Sequence, residues 1–343
     1  MKALVHTAPL KLEYLDVPQP QFGNSDVLVR VKAVAICGSD VHGYTGTTGR
    51  RIPPIIMGHE ASGVVEAVGR NVRNISAGDR ITFDSTVYCN SCPACRQGRV
   101  NLCRNREVLG ASTSLFHRDG AMADYVVVPS WIVHRLPDTV SFEEASLIEP
   151  ASVGLHAARI TPVDVNDTVA VVGAGPIGLF AMQSARVRGA GKIIVLDLKE
   201  ERLTLAARLG ADLTINPSTA DIQKEMQRAP GRLEPDAVLE AVGTEATVAL
   251  ALGLAKLGGH VTLIGNITPK IHINLQDIVL HELTIRGSCA IAGEYQASLD
   301  LMAEGRILAK PLISRIMPLA EGQQAFDALC RRESGLMKIV LQP

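Results

Sequence analysis

The sequence predicts an α/β protein of two parts: a mainly β first domain, then a doubly wound parallel sheet. Three observations carry this. The 343-residue chain is long enough for two domains. Its first 150 residues read as short β-branched runs bounded by Gly, Pro, Asn and Asp: VLVRVKAVAI, SGVVEAVG, RITFD and ADYVVVP. From about Thr161 the texture changes to apolar runs alternating with Ala/Leu-rich helical stretches, which builds a parallel sheet with helices on its faces.

The strand candidates of the second part are TVAVVG, KIIVLD, DAVLEAV, HVTLIG and LTIRGS, with helices such as GLFAMQSARVRG and KEERLTLAARLG between them. The last fifty residues hold a helix, EYQASLDLMAEG, and an extended ending, MKIVLQ. That ending suits a β layer, so the tail is expected to return to the first domain. The boundaries follow as 1–150 with 290–343 for the first domain and 151–289 for the second.

Composition removes several classes of function. Net charge is −1 and no basic stripe occurs, which argues against nucleic-acid binding. Aromatics are only 3%, so the core rests on Val, Ile, Leu and Ala. The N-terminal MKALVHTAPLKLEYLDV lacks the apolar stretch of a signal peptide. No apolar run approaches the ~18 residues of a membrane span. A soluble, reducing, cytoplasmic setting is expected.

TVAVVGAGPIGLFAMQ holds Gly173, Gly175 and Gly178 as G-x-G-x-x-G, with Pro176 and Ile177 inside the turn. It follows an apolar strand and opens a helix, and the next strand ends in Asp197, as a dinucleotide site requires. Gly173 permits the tight turn, Gly175 admits the pyrophosphate, and Gly178 lets helix and sheet pack closely. Asp197 should accept hydrogen bonds from the adenosine ribose and repel a 2′-phosphate, favouring NAD over NADP. Arg202 either contacts adenine or a phosphate, or belongs to a solvated helix face.

Four of the seven cysteines, Cys89, Cys92, Cys95 and Cys103, fall in CNSCPACRQGRVNLC with C-x2-C-x2-C-x7-C spacing. In a long cytoplasmic chain this spacing means metal rather than disulfides. Four thiolates close a tetrahedral Zn²⁺, so the lobe at 89–103 is structural, because a catalytic zinc keeps an open position. A second set is scattered: Cys37, Ser39, Asp40 and His42 in CGSDVHGY, His59 and Glu60 in GHEASG, and Glu149 in LIEPASVGLHA. Taken singly these are ordinary residues: a small buried thiol, a satisfied histidine, a helix cap.

Together the CGSDVH and GHE segments, the four-cysteine lobe, GAGPIG and the domain order resemble the zinc-dependent medium-chain alcohol dehydrogenase family over essentially the full length. CGSDVH and EPASVGLHA are most similar to its polyol branch (sorbitol, or L-iditol, dehydrogenase), related to the butanediol and L-threonine dehydrogenases. The resemblance implies a GroES-like catalytic domain completed by the C-terminal tail, a Rossmann cofactor domain, two zinc ions per subunit and NAD. It implies Cys37, His59 and Glu149 as catalytic zinc ligands, with Glu60 coordinating directly or through water. Asp40 would hydrogen-bond the zinc-bound histidine. Ser39 and His42 would relay the proton released from an alcohol made acidic by the metal. It also implies a dimer built by pairing HVTLIGN and ELTIRGS across a two-fold axis, or a tetramer.

The implied reaction is oxidation of a secondary hydroxyl of a polyol, sugar alcohol or small diol. The Arg-Tyr pair of animal sorbitol dehydrogenases is replaced here by Ala290 and Ile291, which disfavours sorbitol itself and suits an apolar wall. Other readings are an L-threonine-type amino-alcohol dehydrogenase and, outside enzymes, an NAD-binding sensor or structural protein. Arg50 and Arg51 either meet a phosphate or carboxylate or, the favoured reading, belong to a solvated loop, and Cys289 and Cys330 read as small packed hydrophobes.

Overall fold

The structure, a computed structural model, describes residues 1–231 and 233–343. It divides into two compact units. One comprises Met1–Glu149, Ile291–Ala303 and Ala309–Pro343, the other Pro150–Ala290 and Glu304–Leu308.

The first unit opens with an antiparallel hairpin of β1 (Lys2–Ala8) and β2 (Lys11–Asp16). β3 (Asp26–Ala35) is the spine of the main sheet, with its valines Val27, Val29 and Val31 buried at alternate positions. Helix α1 (Gly38–Tyr44) follows it immediately. β4 (Glu60–Val68) pairs antiparallel with β3, Ala35 opposite Glu60, and β5 (Arg80–Phe83) lies beside β4. β6 (Tyr125–Pro129) adds to the other edge of β3, and β7 (Val133–Arg135) to β5.

Helix α2 (Ile148–Ile160) carries the chain into the second unit. There β8 (Thr168–Val172), β9 (Lys192–Leu196), β10 (Leu213–Ile215), β11 (Ala237–Glu240), β12 (His260–Leu263) and β13 (Thr284–Gly287) form one parallel sheet, ordered β10-β9-β8-β11-β12-β13. Strand order reverses between β8 and β11, the place where doubly wound sheets bind ligands. The central strands are apolar and buried on both faces, which is why they read as continuous runs rather than alternations. Helices α3 (Pro176–Arg188) and α4 (Glu200–Arg208) connect the first three strands, and α5 (Leu275–Leu280) precedes β13.

The sheet corrects one expectation. β12, the HVTLIG strand, has β11 on one side and β13 on the other, so its backbone groups are already paired. Among the described residues, β13, the LTIRG strand, is the one at the free edge in this part of the sheet.

The tail lies in the first unit. β14 (Ile313–Pro318) and β15 (Lys338–Gln342) are parallel neighbours, and β15 pairs antiparallel with β3, Val340 opposite Ala35. The sheet runs β7-β5-β4-β3-β15-β14, with β6 also on β3. Ala35 thus faces Glu60 on one side and Val340 on the other, so Cys37, His59 and Lys338 gather at one end of the sheet.

Candidate metal centres and dinucleotide site

The four cysteines of the lobe converge. Sulfur–sulfur separations are 4.0 Å for Cys89–Cys95, 3.5 Å for Cys92–Cys95 and 3.5 Å for Cys89–Cys103. A tetrahedron with Zn–S bonds of about 2.3 Å has edges of about 3.8 Å, so the lobe fits zinc. All four thiols are free, and the separations far exceed the ~2 Å of a disulfide. Pro93 starts the short helix Pro93–Arg96 and Gly98 takes a φ of 73° behind it, folding the loop around the sulfurs. Arg96, Arg99, Arg104 and Arg106 in and beside the lobe offset the net charge of about −2 that four thiolates and Zn²⁺ carry together.

The second constellation also assembles in part. One ligand atom each from Cys37, His59 and Glu60 lies within 4.8 Å of the others. The local fold explains this. Cys37 is the N-cap of α1: its sulfur accepts from the Ser39 amide at 3.5 Å, while Asp40 accepts from the Cys37 amide at 3.3 Å. This capping box fixes the start of the helix. His59 immediately precedes β4, whose first residue, Glu60, pairs with Ala35, two residues before Cys37.

Asp40 is fully buried, with His59 Nδ1 3.3 Å from its Oδ1. That contact orients the ring with Nε2 free for a metal. Burial works against ionising Asp40, but His59 and Arg51 outweigh it and hold the carboxyl well below the usual range. Ser39 and His42 are both exposed on α1, three residues apart and so on neighbouring positions of one helix face.

Glu149 opens α2, deep in the unit though with some surface accessible. Its Oε1 accepts from Ser85 Oγ at 3.1 Å. Burial raises its pKa; His59, Glu60 and Lys338 are the charges acting on it. Glu149 therefore belongs to the same neighbourhood as the tighter Cys37–His59–Glu60 group.

Two further residues in this neighbourhood were not assigned to the site from the sequence. Lys338 is buried in β15 and forms an ion pair with Glu60 Oε2, with a second hydrogen bond of 3.2 Å to the Ile36 carbonyl. Its signal was a lone cation inside the apolar run MKIVLQ. Arg51, expected in a solvated loop, is only 7% exposed and is salt-bridged to Asp40. Its neighbours Arg50 and Ile52 are held to Ser112 by backbone hydrogen bonds, which turns the side chain inward. Cys330 packs against the core as expected. Cys289 does not: it follows the edge strand β13 and is exposed. Ile291 is fully buried, and Ala290 takes a φ of 49°.

In the second unit Gly173 has a φ of 98°, open to glycine at little cost. A Cβ on Gly175 would meet nothing within 4 Å, so the space over the turn is clear, whereas one on Gly178 would sit 1.8 Å from the Gly173 carbonyl oxygen. Pro176 takes the first turn of α3, where no amide hydrogen is needed, and Ile177 follows it. Asp197 accepts from the Ala174 amide at 2.8 Å and the Lys199 amide at 2.9 Å, which ties it to the glycine turn. Arg202 is not a free surface residue, because its guanidinium lies 3.6 Å from Asp197. This open cradle at a helix N-terminus fits a dinucleotide pyrophosphate.

A closed four-thiolate zinc lobe, a buried Cys/His/carboxylate group and a dinucleotide cradle define a metal-dependent dehydrogenase. Comparison with known proteins agrees. Residues 23–138 match the alcohol dehydrogenase GroES-like domain, and 176–304 match the zinc-binding dehydrogenase family. The chain is 35% identical to the sorbitol dehydrogenase of Bacillus subtilis (strain 168), covering 100% of this chain and 97% of that protein. It is 36% identical to the L-idonate 5-dehydrogenase of Vitis vinifera, over 91% and 87% of the two chains. A zinc-binding dehydrogenase of Sinorhizobium meliloti 1021, solved with NADP, superposes with a TM-score of 0.90 at 34% identity, covering 100% and 99%. The chain belongs to the zinc-dependent medium-chain alcohol dehydrogenase family and is an enzyme that uses zinc and NAD(P).

Proposed function

We propose that this dehydrogenase oxidises a secondary hydroxyl of a polyol, sugar alcohol or small diol to the ketone, with NAD as the hydride acceptor. The observation that carries the reading is the gathering of Cys37, His59 and a carboxylate at one end of the sheet. The polyol class is supported by the sorbitol and L-idonate dehydrogenases among its relatives. Cys37, His59 and Glu149 are the ligands we assign to the catalytic zinc. Glu60 is engaged by Lys338, whereas Glu149 is held only by a neutral hydroxyl in the contacts described. Cys89, Cys92, Cys95 and Cys103 hold the structural ion.

Zinc bound there supplies Lewis acidity that makes an alcohol hydroxyl acidic near neutral pH, and NAD supplies the hydride acceptor. The chain's own residues do the remaining work. Ser39 Oγ takes the proton the substrate loses and hands its own outward toward His42. Asp40 keeps His59 in the tautomer with its proton on Nδ1. Gly173, Gly175, Pro176, Ile177 and Gly178 cradle the pyrophosphate, and Asp197 receives the ribose hydroxyls, with Arg202 beside it.

We also propose a homodimer formed across the free edge of β13, itself largely exposed, and the neighbouring α5 surface. Leu275, Val279 and Leu280 there are 67%, 66% and 77% exposed, an apolar face suited to a second copy. A tetramer would need a further contact surface.

A substrate panel read by NADH absorbance tests the function: sorbitol, xylitol, galactitol, 2,3-butanediol and L-threonine. Turnover of a polyol or diol is expected. Preference for L-threonine would move the chain to the amino-alcohol dehydrogenases, and turnover of none, with zinc and NAD bound, would favour a sensor.

A further inference from the structure

Arg51 has no part in the chemistry described so far, yet it is built into the site. Its Nε and Nη2 both donate to Asp40 Oδ1, at 3.2 and 3.0 Å. The same Nη2 donates to Ser39 Oγ at 3.4 Å, and Nη1 to the Arg50 carbonyl at 3.0 Å. The side chains of Arg51 and Asp40 are 6% and 0% exposed. Space for the guanidinium stem is reserved by Gly43, where a Cβ would stand 2.1 Å from Arg51 Cγ.

We propose that Arg51 is a positioning residue of the oxidation: one guanidinium that holds Asp40 behind His59 and sets the direction in which Ser39 receives the substrate proton. The inference rests on the functional reading above. Two pieces of chemistry support it. A hydroxyl has one donor and two acceptor sites, whereas a guanidinium only donates. Ser39 must therefore accept from Arg51, which turns its own O–H away and leaves its second lone pair for the substrate proton. The transfer balances: the alcohol O–H bond breaks as the new Ser39 O–H forms, and the original Ser39 proton leaves outward. Arg51 is also permanently charged, so Asp40 and Arg51 form a neutral unit. Asp40 Oδ1, 3.3 Å from His59 Nδ1, then stands behind the imidazole as part of that neutral unit.

The test uses the zinc-loaded full chain, with Arg51→Met, Arg51→Lys and an inactive Cys37→Ser control. Zinc content, melting temperature, kcat, KM for both substrates and the kinetic isotope effect in D₂O are measured. Arg51→Met should lower kcat about tenfold to a hundredfold, the range for residues that orient metal ligands, with KM for NAD unchanged. Its solvent isotope effect should rise above that of the parent, because proton transfer becomes slower, and millimolar guanidinium should restore part of kcat. Arg51→Lys keeps the charge but not the fork, so it should retain folding and two zinc ions while showing the raised isotope effect. If Arg51→Met does not fold, Arg51→Lys decides on that isotope effect. Variants with kcat within about twofold of the parent overturn the proposal. So does a loss that merely tracks the unfolded fraction, with the parental isotope effect and no guanidinium rescue. A parent chain that oxidises no alcohol overturns the functional reading itself, and this inference with it.

Discussion

Replacing Lys338 with methionine keeps the length and apolar stem of the side chain and deletes its charge. Lys338 and Glu60 are 3% and 1% exposed, and Glu60 Oε1 has no hydrogen-bond partner in the described structure. Burial disfavours the lysine's charge, but Glu60 and Cys37 outweigh it and raise its pKa, so the ammonium stays charged. Breaking a buried pair by removing one member costs about 3–5 kcal/mol, because the surviving charge stays desolvated. The chain has a single tryptophan, Trp131, and it lies in the same unit as the pair. Its fluorescence therefore reports the unfolding of that unit. With a urea m-value of about 2–3 kcal/mol/M, Lys338→Met should lower the midpoint by about 1–2.5 M. The double variant Glu60→Gln with Lys338→Met should recover most of the loss, since a neutral pair needs no counter-charge. A single-variant shift below about 0.3 M, unchanged in the double variant, would refute the claim that this pair is a desolvated ion pair.

Three further outcomes are expected. Metal analysis should give two zinc ions per chain, and a mild chelator should abolish turnover before it empties the four-cysteine lobe, whose sphere is closed by thiolates; one ion in the active enzyme would contradict this. Asp197→Ala should raise the NADP:NAD ratio of kcat/KM by about tenfold or more, since about 1.4 kcal/mol of lost repulsion already gives that factor; an unchanged ratio in a cofactor assay would remove Asp197 from the discrimination. Burial holds His134 down to about 4. The unfolded chain then takes up its proton first, near pH 6.5, so stability is full above that value and falls as pH drops toward 4. The loss is about 2 kcal/mol between pH 6.5 and 5, and the urea midpoint of the parent should fall relative to that of His134→Phe across that interval.

The glycine turn and the cysteine lobe were legible in the sequence because each is local. Gly173, Gly175 and Gly178 meet their constraints within one turn, and the four thiols lie within fifteen residues. Cys37, His59 and Glu149 were found through short motifs, since no periodicity links them. Lys338 was missed, and the solvated loop was favoured over a carboxylate contact for Arg51, for a physical reason. The partner of Lys338 is 278 residues away, and only the β15–β3–β4 pairing brings the two together. Arg51 looks like any loop arginine until its neighbours are tied to Ser112 and Gly43 makes room for it. The dimer strand was misjudged in part because HVTLIG and LTIRG are alike in composition, and only sheet order tells an interior strand from an edge.

We infer that two buried cations favour Glu149 over Glu60 as the third zinc ligand. Asp40 is neutralised by Arg51 and Glu60 by Lys338, each inside the first unit. What remains at the sheet end is the Cys37 sulfur and the Glu149 carboxyl, two ligand groups without a salt-bridged cation among the described contacts. Ionised together, two such groups are costly in a low-dielectric setting unless a cation joins them, and Zn²⁺ would supply that cation. If Glu60 were the ligand instead, Lys338 would be left a buried ammonium without its partner. Glu149→Gln should therefore weaken catalytic zinc, measured by chelator competition, by more than the roughly hundredfold that orienting residues contribute. Glu60→Gln should mainly lower the urea midpoint, because it strands Lys338. The reverse ranking, with Glu60→Gln releasing zinc more readily than Glu149→Gln, would transfer the third coordination position to Glu60.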